Sequence, residues 1–495
     1  MESITTTQAQ KFGSDIVWVA VYQVIASVLG IVTLAFLTKF YSAEIYGVWV
    51  QATVTVNLLV PIITLQLGAA LVRFMAGEDD RSTRRMYLGA MLWPVVVVCC
   101  LVPALSLLFR NELSRLLFNT LDYIKFIPLI FSWAAIDALL SFLLFYLVAR
   151  GKIKKQVVVQ LILSAVKIAL IIIFAISGYS LEWIIAGIIV FELLLTALVF
   201  SIVVRDTGFP NLSTTKSRLY LGFSAPLIPS ALLLWIVNAS DRYFIAHFIG
   251  LSQTGIYSAS YALAGILSLF SGAIGFVLFP SISKLWSQNE KGRVKNYLEY
   301  STKLFLLLAL PGVAGLYILS QPLLSSIATN EYIAGSGIVL LLAVGALLFG
   351  VYQICIQVAL LVWQTRWLLL IVGIAAAINV GINLTIIPII GLIGAAIAAG
   401  VSFLFLAVIA VLWAWRVVGY KIDYKFVAKT IVASFIMAFC LNFIEISGVW
   451  AIALAIIAGA IVYAISLFLM KAFSREDLLL AREMLALLNV RSWVG

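Results

Sequence analysis

The sequence predicts an all-α integral membrane protein of about fourteen transmembrane helices, and three observations support that fold class. Of the 495 residues, 64% are hydrophobic and only 11% are charged, whereas soluble domains carry about 25% charged residues. Apolar stretches of about 20 residues, the length of a membrane-spanning helix, follow one another along the chain. Runs such as 168–176 and 451–465 lack the strict alternation expected of barrel strands.

Each predicted span is long enough to cross a hydrocarbon core of about 30 Å. Several spans exceed that length, so we expect them to tilt or to extend beyond the bilayer. The first apolar run is too long for a cleavable signal peptide, so we expect it to be retained as a span. In chain order the spans are Ile16–Lys39, Tyr46–Met75, Tyr87–Phe109, Tyr123–Ala149, Gln156–Ile176, Leu181–Val204, Leu219–Phe248, Thr254–Leu285, Tyr297–Leu319, Tyr332–Val362, Trp367–Ile387, Leu392–Trp415, Phe426–Ile444 and Val449–Met470.

Lysine and arginine in the connections predict the orientation, since cytoplasmic loops carry an excess of both. With the N-terminus inside, the cytoplasmic connections carry most of the cations, and the outer connections carry only Lys39, Arg110, Arg115 and Lys125. The alternation persists along the chain, so we expect an even number of spans and both termini in the cytoplasm. This bias, together with anionic inner-leaflet lipid, explains the net charge of +11, and we expect no nucleic-acid binding.

Two segments of the sequence resemble each other at an offset equal to six predicted spans. They are LTKFYSAEIYGVW at 37–49 and IAHFIGLSQTGIY at 245–257. An even offset gives both copies the same orientation, as in transporters whose halves are related by an axis along the membrane normal.

The repeat predicts two pseudo-symmetric six-helix lobes around a central cavity. The N-terminal lobe would comprise residues 1–210 and the C-terminal lobe residues 211–420. Spans thirteen and fourteen, at 421–470, fall outside the repeat and would be peripheral. We expect the tail 471–495 to form a short amphipathic helix on the cytoplasmic face, because Ser474 and Asp477 are typical of a helix start.

Polar side chains recur at helical spacing in several spans. A polar group inside a bilayer is costly and needs either a partner or a function. Together these residues predict a hydrated cavity, although ordinary interhelical hydrogen bonding remains the alternative for each of them. The predicted cavity residues are Gln23, Asn57, Gln160, Gln353, Gln357, Asn379 and Asn383.

Three ionisable residues, Asp137, Lys167 and Glu192, fall near the middle of spans four, five and six. Because these spans are sequential neighbours, a buried ion pair or triad is within reach. Two interpretations remain open. Either Lys167 and Glu192 neutralise each other as a structural pair, or Lys167 faces the cavity and attracts an anionic substrate group. Asp137, Glu192 or Asp241 can alternatively bind a coupling proton or Na⁺.

Span seven contains two prolines and an adjacent pair of charges. Pro226 and Pro229 each remove a backbone hydrogen bond and kink the helix, so the span is a candidate gate; a static bend is the alternative. Asp241 and Arg242 lie towards its outer end, where both structural anchoring and contact with a substrate or gate remain open.

The sequence contains no pattern typical of a catalytic centre, such as a metal-ligand cluster or a phosphate-binding glycine loop. The acidic run 78–80 lies beside several arginines and is predicted to be a solvated turn. The connections between spans are too short to hold a soluble domain. We therefore expect a transporter and not an enzyme, with no metal or organic cofactor and with H⁺ or Na⁺ as the candidate coupling ion.

Several segments resemble polysaccharide-biosynthesis flippases, a family within the superfamily that includes multidrug exporters and the lipid II flippase. The resemblance covers nearly the whole chain and is most specific in the centre. The segments are KFYSAEIYGVW at 39–49, FSAPLIPS at 223–230, NASDRYFI at 238–245, GIYSASY at 255–261, NVGINL at 379–384 and IPIIGLIGAA at 387–396.

The resemblance implies a V-shaped, two-lobed fold that moves a polyprenyl pyrophosphate-linked oligosaccharide from the inner to the outer leaflet. The glycan would be O-antigen, capsule or a similar surface polysaccharide. The family pattern implies cations in the central cavity, and Lys167 and Arg242 are the ones that this chain offers, although Lys167 matches no fixed family position. Implied partners are a polysaccharide polymerase and glycosyltransferases, and we expect the protein itself to be a monomer.

Two alternatives remain. A cation-coupled multidrug exporter of the same fold typically has twelve spans and an acidic, aromatic-lined cavity, so fourteen spans and Lys167 count against it. A membrane glycan polymerase or ligase requires a large outer loop with catalytic Arg or His, and the predicted outer loops are short.

Overall fold

The computed structural model of the protein describes residues 6–211, 217–362, 365–444, 446 and 448–472. The predicted amphipathic helix in the tail lies outside the described residues from position 473 onward. The α-helices of the described part are α1 (Thr6–Phe40), α2 (Ala43–Ile63), α3 (Leu67–Met75), α4 (Arg81–Leu108), α5 (Arg110–Phe118), α6 (Phe126–Ala149), α7 (Ile153–Ile176), α8 (Leu181–Thr207), α9 (Ser217–Ser224), α10 (Leu227–Ala239), α11 (Asp241–Phe248), α12 (Leu251–Ala264), α13 (Ile266–Ser287), α14 (Lys291–Ile327), α15 (Ser336–Cys355), α16 (Gln357–Leu361), α17 (Thr365–Ile390), α18 (Leu392–Val418), α19 (Tyr424–Leu441) and α20 (Val449–Leu469), with a 3₁₀ helix at Asn330–Gly335.

Fourteen helical segments among the described residues are long and apolar enough to cross a membrane. The predicted all-α fold class with fourteen spans is therefore confirmed. Backbone N–H and C=O groups cannot be left unpaired in hydrocarbon, so a chain this apolar satisfies them within helices.

Several predicted spans are interrupted where continuous helices were expected. The prediction of one helix over Tyr46–Met75 is wrong, because α2 ends at Ile63 and α3 begins at Leu67. Leu65 and Gln66 have positive φ angles of 50° and 52°, a left-handed conformation that ends an L-residue helix. Pro61, which has no N–H to donate, lies in the last turn of α2. A second interruption, at Gly265, divides the predicted span eight into α12 and α13.

The chain forms two compact units, each described here by itself. Residues 28–255 form one unit, which we call the N-terminal unit. Its centre is α6, which contacts α2, α3, α4, α7 and α8, and large side chains such as Phe142 and Tyr146 are fully buried there. Close van der Waals packing between these helices stabilises the core.

The second unit, which we call the C-terminal unit, contains residues 1–27 and 256–495. Within it α15 packs against α13, α14 and α18, and α17 packs against α18. The last two helices, α19 and α20, pack on α14, where the Tyr463 hydroxyl donates a 2.8 Å hydrogen bond to the carbonyl oxygen of Leu307. The predicted lobe boundaries at 210 and 420 remain predictions.

The two repeat-related segments contact each other within the N-terminal unit. A Cβ atom on Gly47 would overlap the carbonyl oxygen of Leu251, and one on Gly255 would overlap that of Ala43. Gly47 and Ala43 correspond to Gly255 and Leu251 at the repeat offset of 208 residues. Equivalent residues therefore exchange places across the contact, as a two-fold axis requires.

Candidate functional site

The three ionisable residues of spans four, five and six come together in the N-terminal unit. Asp137 lies on α6, Lys167 on α7 and Glu192 on α8. The Lys167 Nζ atom is 2.5 Å from Glu192 Oε1, with 25% of the Lys167 side chain exposed and the Glu192 side chain fully buried. Asp137 is within Coulombic range of both. The structure thus brings together the whole predicted triad.

An aromatic ring completes the environment of Lys167. The Nζ atom lies 5.3 Å from the centre of the Trp133 ring, a distance at which the face of an indole attracts a cation. Trp133 precedes Asp137 by one helical turn on α6 and contacts the Trp49 ring of α2 at 5.6 Å between centroids. Trp133 was not among the residues predicted from the sequence, although its spacing from Asp137 places both on one face of the helix.

The charges of this cluster do not balance when all three groups are ionised, because one cation faces two carboxylates. Buried charges require partners, and an uncompensated carboxylate is strongly disfavoured in the membrane interior. One proton or one monovalent cation restores neutrality. The arrangement can therefore exist in two charge states that differ by a single positive charge.

Span seven is interrupted twice. The break between α9 and α10 falls at Ala225 and Pro226, so the kink predicted from Pro226 is confirmed. Pro229 is the third residue of α10; a residue with an N–H at this position would donate to the carbonyl of Ala225 in a continuous helix, so Pro229 contributes to the same break. The gate assigned to the two prolines remains a prediction.

Asp241 and Arg242, which follow the second break, form an ion pair with each other. Arg242 Nη1 lies 2.6 Å from Asp241 Oδ1 and donates a 2.9 Å hydrogen bond to the Asn238 carbonyl. Only 2% of Asp241 and 6% of Arg242 is exposed. This geometry favours the anchoring interpretation of the pair over direct contact with a substrate.

Two contacts that sequence reasoning missed join span seven to span two. The Tyr243 hydroxyl lies 2.6 Å from Thr55 Oγ1, and because Thr55 donates its own hydrogen to Gln51, Tyr243 is the donor. Trp235 Nε1 donates a 3.1 Å hydrogen bond to the Val54 carbonyl. Neither tyrosine nor tryptophan is unusual in a membrane helix, so the sequence carried no signal for this pairing.

Four predicted cavity residues of the C-terminal unit, Gln353, Gln357, Asn379 and Asn383, form hydrogen bonds within the protein. Gln353 Oε1 accepts a 2.7 Å hydrogen bond from Ser271, and Gln357 Nε2 donates a 3.2 Å bond to the Gly275 carbonyl. Asn379 and Asn383 are buried and bond to each other at 2.8 Å. For Gln353 and Gln357 the geometry favours interhelical hydrogen bonding, the alternative that the sequence left open, whereas the bond between Asn379 and Asn383 lies within α17.

The other predicted cavity residues are more accessible. Asn57 and Gln23 are exposed, one in each unit. Gln160 is half-buried and accepts a 2.7 Å hydrogen bond from Gln156 one turn earlier. Exposed amides at membrane depth are unfavourable in lipid, so the assignment of these side chains to a hydrated space remains a reasonable prediction.

Comparison with known proteins identifies the family of this chain. A model of the polysaccharide biosynthesis protein family matches residues 12–286 of this chain, which is more than half of its length. The chain belongs to this family. The resemblance of the repeat segment and the central motifs to polysaccharide-biosynthesis proteins is confirmed.

Curated relatives of this polysaccharide biosynthesis protein carry names of flippases and transport proteins. It is 24% identical to the probable low-salt glycan biosynthesis flippase Agl15 of Haloferax volcanii over 47% of this chain and 49% of that protein. It is 23% identical to the succinoglycan biosynthesis transport protein ExoT of Rhizobium meliloti over 64% and 62% of the two chains. The match thus spans about half the length of Agl15.

Solved structures share the fold. The inward closed conformation of the lipid II flippase MurJ aligns with a TM-score of 0.76 and 14% identity, covering 90% of this chain and 97% of that one. An inward-facing multidrug resistance transporter of the MATE family aligns with a TM-score of 0.68 and 12% identity, over 81% and 98%. At this identity the likeness establishes a common fold.

Proposed function

We propose that this protein is a flippase that moves a polyprenyl pyrophosphate-linked oligosaccharide from the inner to the outer leaflet of the cytoplasmic membrane by alternating access. The glycan serves a surface polysaccharide of the O-antigen or capsule type. The observation that carries the proposal is the partly exposed Lys167 side chain in the middle of a membrane span of a polysaccharide biosynthesis family member.

The physics of the substrate requires such a protein. A pyrophosphate carries at least two negative charges, and its unaided passage through hydrocarbon costs on the order of tens of kcal/mol. A hydrated path allows the sugar head to pass while the prenyl chain stays in lipid. Exposed amides such as Gln23 and Asn57 would hydrogen-bond sugar hydroxyls along this path.

Lys167 would bind the pyrophosphate by exchanging partners. Its ammonium is bound to Glu192, and a quarter of its side chain is exposed, so an incoming anion would compete with Glu192 for the ammonium without unpacking the helix. When Lys167 turns to the substrate, Glu192 and Asp137 lose part of their compensation. Uptake of H⁺ or Na⁺ by these carboxylates would then couple an ion to translocation.

The decisive test is flipping of a labelled lipid-linked oligosaccharide by the purified protein in liposomes, read by accessibility at the outer leaflet. Lys167→Ala should abolish flipping at an unchanged protein level. Lys125→Ala is the matched control, since Lys125 is an exposed cation that pairs with Glu182 outside the spans. Flipping by Lys167→Ala at the wild-type rate would remove Lys167 from the mechanism.

The proposal includes an orientation with both termini in the cytoplasm. It also includes action as a monomer beside a polysaccharide polymerase and glycosyltransferases. The distribution of lysine and arginine supports the orientation. In a cysteine-free background, an impermeant maleimide should label Ser180→Cys in intact cells and Ser82→Cys only after permeabilisation. The reverse pattern would overturn the orientation.

A further inference from the structure

A group of basic side chains converges at the end of the N-terminal unit that the loop charges assign to the cytoplasm. Asp206, near the end of α8, lies at its centre. The Asp206 Oδ2 atom is 2.9 Å from Lys152 Nζ and 3.5 Å from Arg150 Nε, and it accepts a 2.6 Å hydrogen bond from the Tyr146 hydroxyl. One carboxylate therefore already compensates one of two nearby cations.

Arg84, in the first turn of α4, adds a third cation, which forms no ion pair with a carboxylate among the described residues. Only 8% of Arg84 is exposed, and its Nε and Nη1 atoms have no hydrogen-bond partner among the described residues. Arg84 lies between Arg81 and Arg85 on α4, whose side chains reach the carbonyls of Arg205 and Phe209 at the end of α8 that carries Asp206. An arginine cannot lose its charge, and a buried charge without a partner is strongly unfavourable.

Two of the three acidic residues in the neighbouring turn 78–80 are otherwise engaged. Asp80 is exposed and caps α4, accepting 2.7 Å hydrogen bonds from the Thr83 amide and hydroxyl. These bonds lower the pKa of Asp80, with a smaller contribution from Arg84. Glu78 accepts a hydrogen bond from the Asp80 amide. Neither carboxylate has a hydrogen bond or ion pair with Arg84 in the described structure.

Two further arginines strengthen the positive field without adding an acid. Arg81 donates to the carbonyl of Arg205 at 3.3 Å, and Arg85 donates to that of Phe209. Both bonds join the start of α4 to the end of α8. The partly buried centre, Arg84, Arg150, Lys152 and Asp206, thus holds three positive charges against one negative charge.

We propose that this centre, which we call the basic pocket, binds a phosphate group. Arg84 would supply its two unpaired N–H groups, and Arg150 and Lys152 would flank the phosphate. Guanidinium groups form paired, charge-assisted hydrogen bonds with phosphate oxygens, and lysine adds a point charge. The inference rests on the pocket alone and holds whether or not the proposed flippase function is correct.

Two sources can present this phosphate at the inner face of the membrane. One is the head group of an anionic lipid, which concentrates near basic segments on the cytoplasmic side. The other is a soluble or lipid-linked pyrophosphate. Both offer the same oxygens to the pocket, so the experiment must separate them.

The full-length protein in nanodiscs provides the test, with the thermal unfolding midpoint and native mass spectrometry as measurements. Neutral discs of phosphatidylcholine are compared with discs containing phosphatidylglycerol, and inorganic pyrophosphate or sulfate is titrated into the neutral discs. We expect phosphatidylglycerol or pyrophosphate to raise the midpoint of the wild type. Arg84→Gln should bind roughly tenfold or more weakly, since it loses charge-assisted hydrogen bonds. Arg110→Gln, an exposed arginine outside the pocket, should behave as the wild type.

The outcomes distinguish the two sources of the phosphate group and test the proposal itself. A response to phosphatidylglycerol alone identifies a lipid site, and a response to pyrophosphate identifies a phosphate site open to soluble or substrate groups. Equal responses of the wild type and Arg84→Gln, equal responses to sulfate and pyrophosphate, or no response of the wild type would each overturn the proposal. If Arg84→Gln does not fold, Lys152→Gln replaces it, because the Lys152 side chain is 30% exposed.

Discussion

At the scale of single residues, the pair of Lys167 and Glu192 illustrates how burial sets the behaviour of a charge. Glu192 has no access to solvent, whereas Lys167 retains a quarter of its side-chain exposure. The two partners are therefore unequal. Removal of the lysine leaves a carboxylate in the protein interior, and removal of the glutamate leaves a cation that still reaches the surface of its unit.

This inequality predicts an asymmetric double-mutant cycle. Lys167→Met should cost roughly 3 kcal/mol in free energy of unfolding, because it leaves the Glu192 charge uncompensated. Glu192→Gln should cost less, since Lys167 keeps the Trp133 face and the Asp137 charge. The double variant should recover most of the loss of Lys167→Met. Thermal unfolding in detergent checks the cycle, and additive losses would contradict the pairing.

At the scale of secondary-structure elements, span seven differs from an ordinary membrane helix. It consists of three short helices, α9 to α11, separated at Pro226 and at Ser240. The piece between the breaks is fastened to α2 through Trp235, and the piece after them through Tyr243. Because both contacts to α2 come from the pieces after the first break, the span can bend between α9 and α10 without losing them.

Removing a proline at this break should therefore affect flipping more than removing a proline from a continuous helix. Pro226→Ala permits a hydrogen bond that would join α9 to α10, so we expect slower flipping together with unchanged or higher thermal stability. Pro94→Ala is the matched control, since Pro94 lies inside the continuous helix α4. The liposome assay compares their initial rates. Equal rates for Pro226→Ala and the wild type would mean that the bend is static.

At the scale of the whole molecule, the internal repeat has a structural counterpart. Gly47 and Gly255 allow two backbones to meet with no side chain between them. Gly47 lies against Leu251 and Gly255 lies against Ala43, and the repeat offset relates one of these contacts to the other. Close backbone approach through small residues is a general way to pack helices in lipid, where apolar side chains gain little by associating. The duplicated segment thus forms a contact between its own two copies.

The contact predicts that a single methyl group is harmful there. Gly47→Ala places its Cβ against the main-chain carbonyl of Leu251, which cannot rotate away, so we expect a loss of roughly 1–3 kcal/mol. Gly30→Ala, in α1, meets nothing within 4 Å and should be neutral or slightly stabilising, because alanine favours helix over glycine. Unfolding midpoints of the two variants decide this. A neutral Gly47→Ala would show that the segments do not approach so closely.

Much of the candidate site was predictable from the sequence. Asp137, Lys167 and Glu192 were identifiable because an ionisable residue in the middle of an apolar run is conspicuous, and adjacent spans tend to pack side by side. The role of Arg242 was not predictable, since its pairing with Asp241 and Asn238 depends on a helix break at Ser240. Arg84 was assigned to the inner loops for its charge, and nothing in its neighbours indicated its burial.

The sequence by itself determined the membrane environment, the number of spans, the internal repeat, the kink at Pro226 and the family. These properties depend on local composition and on spacing along one chain, because hydrocarbon requires each span to satisfy its own backbone hydrogen bonds. The tertiary structure alone decided which polar groups are paired and which buried charged side chain lacks a hydrogen-bond partner. Gln353 with Ser271, Tyr243 with Thr55 and the unpaired guanidinium atoms of Arg84 all result from packing, and packing depends on residues that are distant in sequence.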